Sequence, residues 1–229
     1  MIKEAIILAG GFGTRLQSVV ANIPKPMALV NSKPFLSYIL DFCAAQGIKK
    51  VILAVGYKHK VIQDYCKTRY KDIEIDYSIE ESPLGTGGGI KKALQKCNSK
   101  NVLILNGDSF LRFSLDEMNS AHKSAKSKFT MALKPMKNYD RYGTVEIDKE
   151  NKLIAFKEKE ATKQGLINAG VYLINRAAFN QLAFADIFSF ETEFLIAYIQ
   201  KWKFNGFISD GMFIDIGIPE DYEKAQKLF

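Results

Sequence analysis

Cysteine is scarce and badly placed for cross-linking. Cys43, Cys66 and Cys97 make an odd count of three, and no two form a C-x-x-C pair. That excludes a disulfide framework or a thiolate zinc site and leaves three buried, reduced thiols. Histidine is scarcer: His59 and His122 are the two, neither beside an Asp or Ser companion motif. No G-x-S-x-G, H-E-x-x-H or nucleophilic-cysteine signature occurs, so a catalytic histidine is not expected. No apolar run approaches the roughly 20 residues of a membrane-spanning helix. The opening run Ala5–Ala9 stops at Gly10-Gly11, too short for a secretory core, so a cytoplasmic chain with no membrane partner is expected. Internal repeats, linkers and low-complexity segments are also missing, and one domain with no appended module is expected.

What is present is an ordinary globular composition. The 229 residues are 47% hydrophobic and 25% charged, the size of one α/β domain with at most a minor subdomain. Lys and Arg number 32 against 25 acids, a net charge of +7, which favours an anionic partner. The lysines are scattered, most of them on a solvated face, and form no basic stripe interleaved with aromatics. A nucleic-acid partner is therefore not expected, and a small polyphosphate ligand suits the charge.

Strands and helices alternate through the first half. Glu4–Ala9, Lys50–Val55, Ile73–Ser78 and Val102–Leu105 read as strands. Phe35–Gln46, Lys60–Arg69 and Ile90–Lys96 read as helices, the last following a glycine-rich loop. Ser114-Leu-Asp-Glu117 is a capping box that opens another helix. This alternation predicts parallel βαβ units. The second half reads differently: Thr130–Leu133, Thr144–Asp148, Leu153–Lys157 and Leu166–Ile174 are strand-like and predict an antiparallel patch. A helix over Glu191–Gln200, strands at Phe204–Ser209 and Met212–Ile216, and a helix from Pro219-Glu220-Asp221 complete the chain.

Four segments carry chemistry. Leu8-Ala9-Gly10-Gly11-Phe12-Gly13-Thr14-Arg15-Leu16 follows the first strand, with Pro24-Lys25-Pro26-Met27 behind it. Its glycines let backbone N–H groups approach a phosphate, and Arg15 and Lys25 add charge. It is neither a dinucleotide fingerprint, which would need glycine where Leu16 stands, nor a Walker A loop. Glu80-Glu81-Ser82-Pro83-Leu84-Gly85-Thr86-Gly87-Gly88-Gly89 follows a strand and reads either as a flexible loop or as main chain packed against a flat ligand. Asn106-Gly107-Asp108 ends a buried strand, and Asp215 sits among apolar neighbours in Phe213-Ile214-Asp215-Ile216-Gly217. Two aspartates with phosphate oxygens are a usual way to hold Mg2+. Finally, Glu158 and Asn168 could serve sugar hydroxyls and Lys159 a phosphate.

In this succession, GGFGTR, PKPM, PLGTGGG, NGD, EK, NAG and FIDIG resemble the sugar-1-phosphate nucleotidyltransferases, over Lys3 to about Gln226. Val55-Gly56-Tyr57-Lys58-His59, Leu133-Lys134-Pro135-Met136, Asp140-Arg141-Tyr142-Gly143-Thr144-Val145 and the run Ser209–Tyr222 resemble the D-glycero-α-D-manno-heptose 1-phosphate guanylyltransferase branch. The resemblance implies a Rossmann-like, GT-A-like three-layer α/β/α sandwich. Its central sheet would be mostly parallel, with a small antiparallel sugar-binding patch. It implies one domain over 1–229, with a nucleotide-binding part over about 1–128 and a sugar-binding part over about 129–218.

The activity implied is transfer of GMP from GTP to the heptose 1-phosphate, giving GDP-heptose for bacterial capsule or lipopolysaccharide, with Mg2+ as cofactor. Leu8, Ala9, Gly10, Gly11, Gly13, Thr14 and Gly107 would meet the nucleotide, with Arg15 on the leaving pyrophosphate and Lys25 on the transferring phosphoryl group. Glu80, Pro83, Gly85 and Thr86 would border base and ribose, and Asp108 and Asp215 would hold the metal. Tyr142, Gly143, Glu158 and Asn168 would surround the sugar, with Lys159 on its phosphate. Two departures stand out: Phe213 replaces a frequent tryptophan, and Glu160 replaces a frequent proline. The long C-terminal extension of many relatives is missing, so acetyl transfer is not expected. Another sugar and nucleotide pair, a catalytically silent nucleotide-sugar sensor, and association as a homodimer stay open.

Overall fold

Two apolar clusters lie on opposite faces of one sheet, and the alternation along its strands puts them there. In β1 (Glu4–Leu8), Ala5 and Ile7 enter one cluster while Ile6 enters the other. In β4 (Lys50–Val55), Val51, Leu53 and Val55 face the first, Ile52 and Ala54 the second. Successive side chains of a strand point to opposite faces, so a strand apolar throughout must be covered on both. The computed structural model describes residues 1–11 and 23–229.

In chain order, a short hairpin of β2 (Leu29–Val30) and β3 (Lys33–Pro34) leads into α1 (Phe35–Ala45). After β4 come α2 (His59–Cys66), β5 (Arg69–Tyr70), β6 (Ile73–Ile79), α3 (Gly85–Leu94), β7 (Asn101–Asn106), β8 (Ser109–Leu111) and α4 (Leu115–Ser124). The second half holds β9 (Phe129–Tyr139), β10 (Gly143–Ile147), β11 (Leu153–Lys159), β12 (Thr162–Asn175) and α5 (Arg176–Asn180). A π-helix over Phe190–Ile196, β13 (Phe204–Ile208), β14 (Phe213–Asp215) and α6 (Pro219–Leu228) close it.

Among the described residues the main sheet runs β11-β10-β12-β7-β1-β4-β6-β5, with β9 on β12 and β13 on β9. Its centre, β7-β1-β4-β6, is parallel. β12 joins that centre antiparallel to β7 and extends far past it to carry β9 and β10. Helices α1, α2, α4 and α6 cover one face, and α3 and the π-helix cover the other. The α/β fold with a parallel centre and an antiparallel patch is thus the one expected.

Several local expectations are corrected. The glycine run is not a loop: α3 begins at Gly85, five residues before Ile90. A Cβ on Gly87 would stand 2.3 Å from the Phe188 ring and one on Gly88 2.1 Å from the Asp186 carbonyl. Those two glycines therefore serve chain-to-chain packing, not a flat ligand. The helix expected over Lys60–Arg69 stops at Cys66, because Lys67 turns to φ 53° and Arg69–Tyr70 pairs with β6. The segment expected as a helix over Glu191–Gln200 is π-helical over Phe190–Ile196. Ser114 caps the helix that it was expected to open: its Oγ accepts from the Glu117 N–H at 3.2 Å.

The second face is dominated by aromatic packing around the fully buried Phe194. Its ring lies 4.9–5.6 Å from those of Phe129, Phe179, Phe190, Trp202 and Phe204. Phe194→Ala is expected to cost about 3–5 kcal/mol by urea denaturation. A loss under about 1 kcal/mol would show that this cluster does not anchor the π-helix to the sheet.

Candidate functional site

The carboxyl ends of β1, β4, β6 and β7 open on one edge of the parallel sheet, where α/β folds place ligands. A cavity of about 380 Å³ lies there, walled on one side by Leu8, Ala9, Gly10 and Gly11 and on the other by Glu80, Pro83, Gly85 and Thr86. A second cavity of about 470 Å³ lies over the antiparallel patch, and Tyr142, Gly143, Asn168 and Asp215 are in its wall. Asn106 and Asp108 line both, so the two spaces meet at the end of β7.

Asp108 is held at that junction from two directions. Lys25, in a 3-10 turn over Lys25–Met27, donates from Nζ to Asp108 Oδ2 at 2.8 Å. The Asp108 carbonyl accepts from the Ile216 N–H at 2.9 Å. This second bond belongs to a small antiparallel ribbon in which β14 pairs with β8, setting Asp215 opposite Ser109. Two aspartates far apart in the chain thereby reach neighbouring positions in one cavity wall. Asp215 Oδ1 accepts from the Gly217 N–H at 2.7 Å. Burial and then the charge of Asp108 push the Asp215 carboxyl above its ordinary range, against the pull of Gly217, Lys25 and Arg141.

Asn168 is aimed by a register shift between β12 and β9 that spans Asn168 to Tyr172. Gly170 within it has φ 71°, and a Cβ there would stand 2.5 Å from Asn106 Nδ2. Asn168 Oδ1 accepts from the Gly170 N–H at 2.9 Å and its Nδ2 donates to the Tyr172 hydroxyl at 2.9 Å. A bulge of this kind re-aims a side chain out of the ladder. Tyr142 packs edge-on against Phe213, centroids 5.9 Å apart, so phenylalanine fills the place expected for tryptophan.

Other expected residues are placed differently. Gly107 is buried, its N–H on the Leu8 carbonyl at 2.9 Å, and lines neither cavity. Gly13, Thr14 and Arg15 lie outside the described residues. Glu158 and Lys159 fall on β11, with Lys159 in register with Gly143, and their side chains lie outside the description.

The structure adds residues that the sequence reading did not single out. Asn106 lines both cavities, and its place one residue before Gly107-Asp108 was the available signal. Arg141 lines the second cavity, its guanidinium paired with the buried Asp221 of α6 and 3.4 Å from the Tyr142 hydroxyl. Glu191 and Thr192 of the π-helix also line that cavity, with nothing local to mark them. The cysteines and histidines stay out of the chemistry. All three thiols are buried and pushed up to about 12 by burial. His122 is buried against Thr130 Oγ1 at 2.8 Å, and burial lowers it to about 4.

The donor set fits a hard divalent cation. Asp108 and Asp215 offer oxygen only, and the charge of Asp108 raises the cost of ionising Asp215. Among the described residues no group of three or more His, Cys, Asp or Glu could hold a metal. The remaining coordination would fall to water and phosphate oxygens, the arrangement Mg2+ prefers.

Because the folded-state pKa of Asp215 lies above its unfolded value, the folded chain binds the proton more tightly. Its contribution to stability is complete below the ordinary carboxylate range and is lost as pH rises through the folded pKa. In metal-free protein at pH 7, Asp215→Asn is expected to raise Tm by a few degrees, about 2–4 °C per kcal/mol. A lower Tm by scanning calorimetry would contradict the repulsion described here.

Comparison with known proteins bears on this geometry. The family model described as nucleotidyl transferase matches residues 4–229. A D-glycero-alpha-D-manno-heptose 1-phosphate guanylyltransferase from Aneurinibacillus thermoaerophilus is 54% identical, over 98% of this chain and 97% of its own. One of the same name from Campylobacter jejuni is 50% identical, over 96% of each. The crystal structure of HddC from Yersinia pseudotuberculosis superposes with a TM-score of 0.87 at 35% identity, over 100% of both chains. The same protein complexed with GMP-PN gives a TM-score of 0.85.

Proposed function

This chain belongs to the nucleotidyl transferase family, and we propose that it transfers GMP from GTP to D-glycero-α-D-manno-heptose 1-phosphate, releasing pyrophosphate. The observation that carries this reading is the meeting of two cavities at Lys25, Asp108 and Asp215. The first cavity would take GTP and the second the sugar phosphate, so the reacting oxygen and the α-phosphorus would face one another at the junction. This divides one domain into a nucleotide part over about 1–128 and a sugar part over about 129–218. The two relatives named for this activity match nearly the whole chain.

A phosphate oxygen of the sugar 1-phosphate attacks the α-phosphorus, the new P–O bond forms, and the bond to the β-phosphate oxygen breaks. The nucleophile is already ionised at neutral pH, so no general base is needed, consistent with the two histidines lying outside both cavities. What opposes the reaction is charge. Two unit charges of one sign about 4 Å apart repel by about 4 kcal/mol at an effective dielectric constant near 20. Lys25 offsets that at the junction and would stabilise charge developing on the transferring phosphoryl group. The resemblance assigns Arg15 to the leaving pyrophosphate and Lys159 to the sugar phosphate. Asp108 and Asp215 would hold Mg2+, which supplies further neutralisation of phosphate charge.

A physical preference for guanine is available at Glu80. Its carboxylate lies in the first cavity, where the Leu84 N–H donates to Oε2 at 3.2 Å. A carboxylate only accepts, and guanine presents two adjacent donors, N1–H and N2–H, on one edge. Burial raises the Glu80 pKa, so this acceptor is lost on acidification at a higher pH than for a free glutamate. The reading places the enzyme in the cytoplasm, where GTP is available, upstream of capsule or lipopolysaccharide assembly.

Pyrophosphate release over a grid of GTP, ATP, UTP, dTTP and CTP with heptose, mannose and glucose 1-phosphates, with and without Mg2+, tests the proposal. GTP with the heptose phosphate and Mg2+ is expected to give the highest kcat/KM. Glu80→Gln is expected to lower kcat/KM for GTP at least about tenfold, the scale of one lost specific contact. A preference for another pair, or equal rates across bases, would overturn it.

A further inference from the structure

We infer that Glu191 is a substrate-binding residue of the second cavity, whose carboxylate accepts hydrogen bonds from hydroxyls of the sugar and thereby helps select it. The inference rests on the reading that this cavity takes a sugar 1-phosphate.

The polarity of the cavity sets the orientation of such a ligand. Its phosphate must reach the junction with the nucleotide space, where Lys25 stands on Asp108. The sugar ring then extends away from the junction toward the remaining wall. Part of that wall is the opening turn of the π-helix, which contributes Glu191, Thr192 and Ile196.

Glu191 is not consumed by the helix it starts. Ser189 Oγ accepts from the Thr192 N–H at 3.2 Å, and Glu193 Oε2 accepts from the Ser189 N–H at 2.6 Å, so the end of the helix is capped without it. Among the described residues the Glu191 side chain makes no hydrogen bond or ion pair, and it is exposed. The buried Tyr172 hydroxyl, on which Asn168 Nδ2 donates at 2.9 Å, feels the charge of both Glu191 and Asp108. Glu191, Asp108 and Asn168 all line this one cavity. A π-helical turn is itself rare and recurs at functional sites, where it moves side chains out of the α-helical register.

The chemistry suits a polyol. Ring hydroxyls donate, a carboxylate only accepts, and such charge-assisted bonds are stronger than neutral ones. A negative group on this wall also disfavours the reversed pose that would bring the phosphate to it. A site built to bind hydroxyls rejects analogues that lack them more strongly than an apolar wall could.

The test compares wild type, Glu191→Gln and Glu191→Ala with Mg2+, reading KM for D-glycero-α-D-manno-heptose 1-phosphate and for GTP. Calorimetric titration of the sugar phosphate in the presence of a non-hydrolysable GTP analogue provides a readout independent of turnover. Glu191→Ala is expected to raise KM and Kd for the sugar phosphate at least about tenfold, with a smaller rise in Glu191→Gln and KM for GTP within about twofold of wild type. Sugar-phosphate values within about twofold of wild type in both variants would overturn the inference while leaving the proposed function standing. Equal rises in both KM values would overturn it as well, since they report a general disturbance. A wild type that neither binds nor turns over the sugar phosphate would overturn the proposed function and this inference with it.

Discussion

A carboxylate at Asp215 made costly to ionise by burial and by the neighbouring Asp108 is the constraint around which this molecule is arranged. Asp108 lies two residues past the end of β7, and Asp215 comes back more than a hundred residues later on a ribbon that pairs β14 with β8. The bond from the Ile216 N–H to the Asp108 carbonyl fixes the two backbones side by side. Such an arrangement is poor for stability and sensible for binding a cation. It also explains why cations crowd the same place: Lys25 is on Asp108 directly, and Arg141 lies within electrostatic reach of Asp215 while clamping α6 through Asp221.

Around that point the sheet divides the labour. The parallel centre ends in a cavity lined by backbone and by Glu80, and the antiparallel extension supplies a more polar wall of Tyr142, Asn168 and Glu191. β12 links the two, pairing with β7 at one end and carrying β9 and β10 along the other. The end of β7, where Asn106 and Asp108 line both spaces, is a direct way to hold two substrates in register. Positioning of reactants is worth many orders of magnitude when neither needs chemical activation.

Much of this was legible in the amino-acid sequence, and the failures have identifiable physical causes. The strand over Lys50–Val55 and the helix beginning at Phe35 were readable because apolar periodicity decides them. The glycines of α3 were misread because local flexibility argues for a loop, whereas contact with Phe188 and Asp186 settles the matter from outside the segment. The π-helix could not be read, since hydrogen-bond spacing leaves no trace in composition. At the site, glycine-rich turns and an aspartate after a buried strand carry local signals, and the family resemblance joined Asp108 to Asp215. Glu191 carried none, and Arg141 stood only inside a run quoted for the family resemblance: each looks like a solvated surface charge until the start of β10 and the π-helix are set across one cavity.

The most direct test of a cation shared by Asp108 and Asp215 is a double-mutant cycle on kcat with Asp108→Asn, Asp215→Asn and the double variant, at saturating Mg2+ and substrates. If both residues act through one ion, removing either removes it, and the double variant turns over within a few-fold of the slower single one, as groups acting as a unit do, on the order of threefold or less. If the losses multiply, the two aspartates act independently and the shared site described here is wrong.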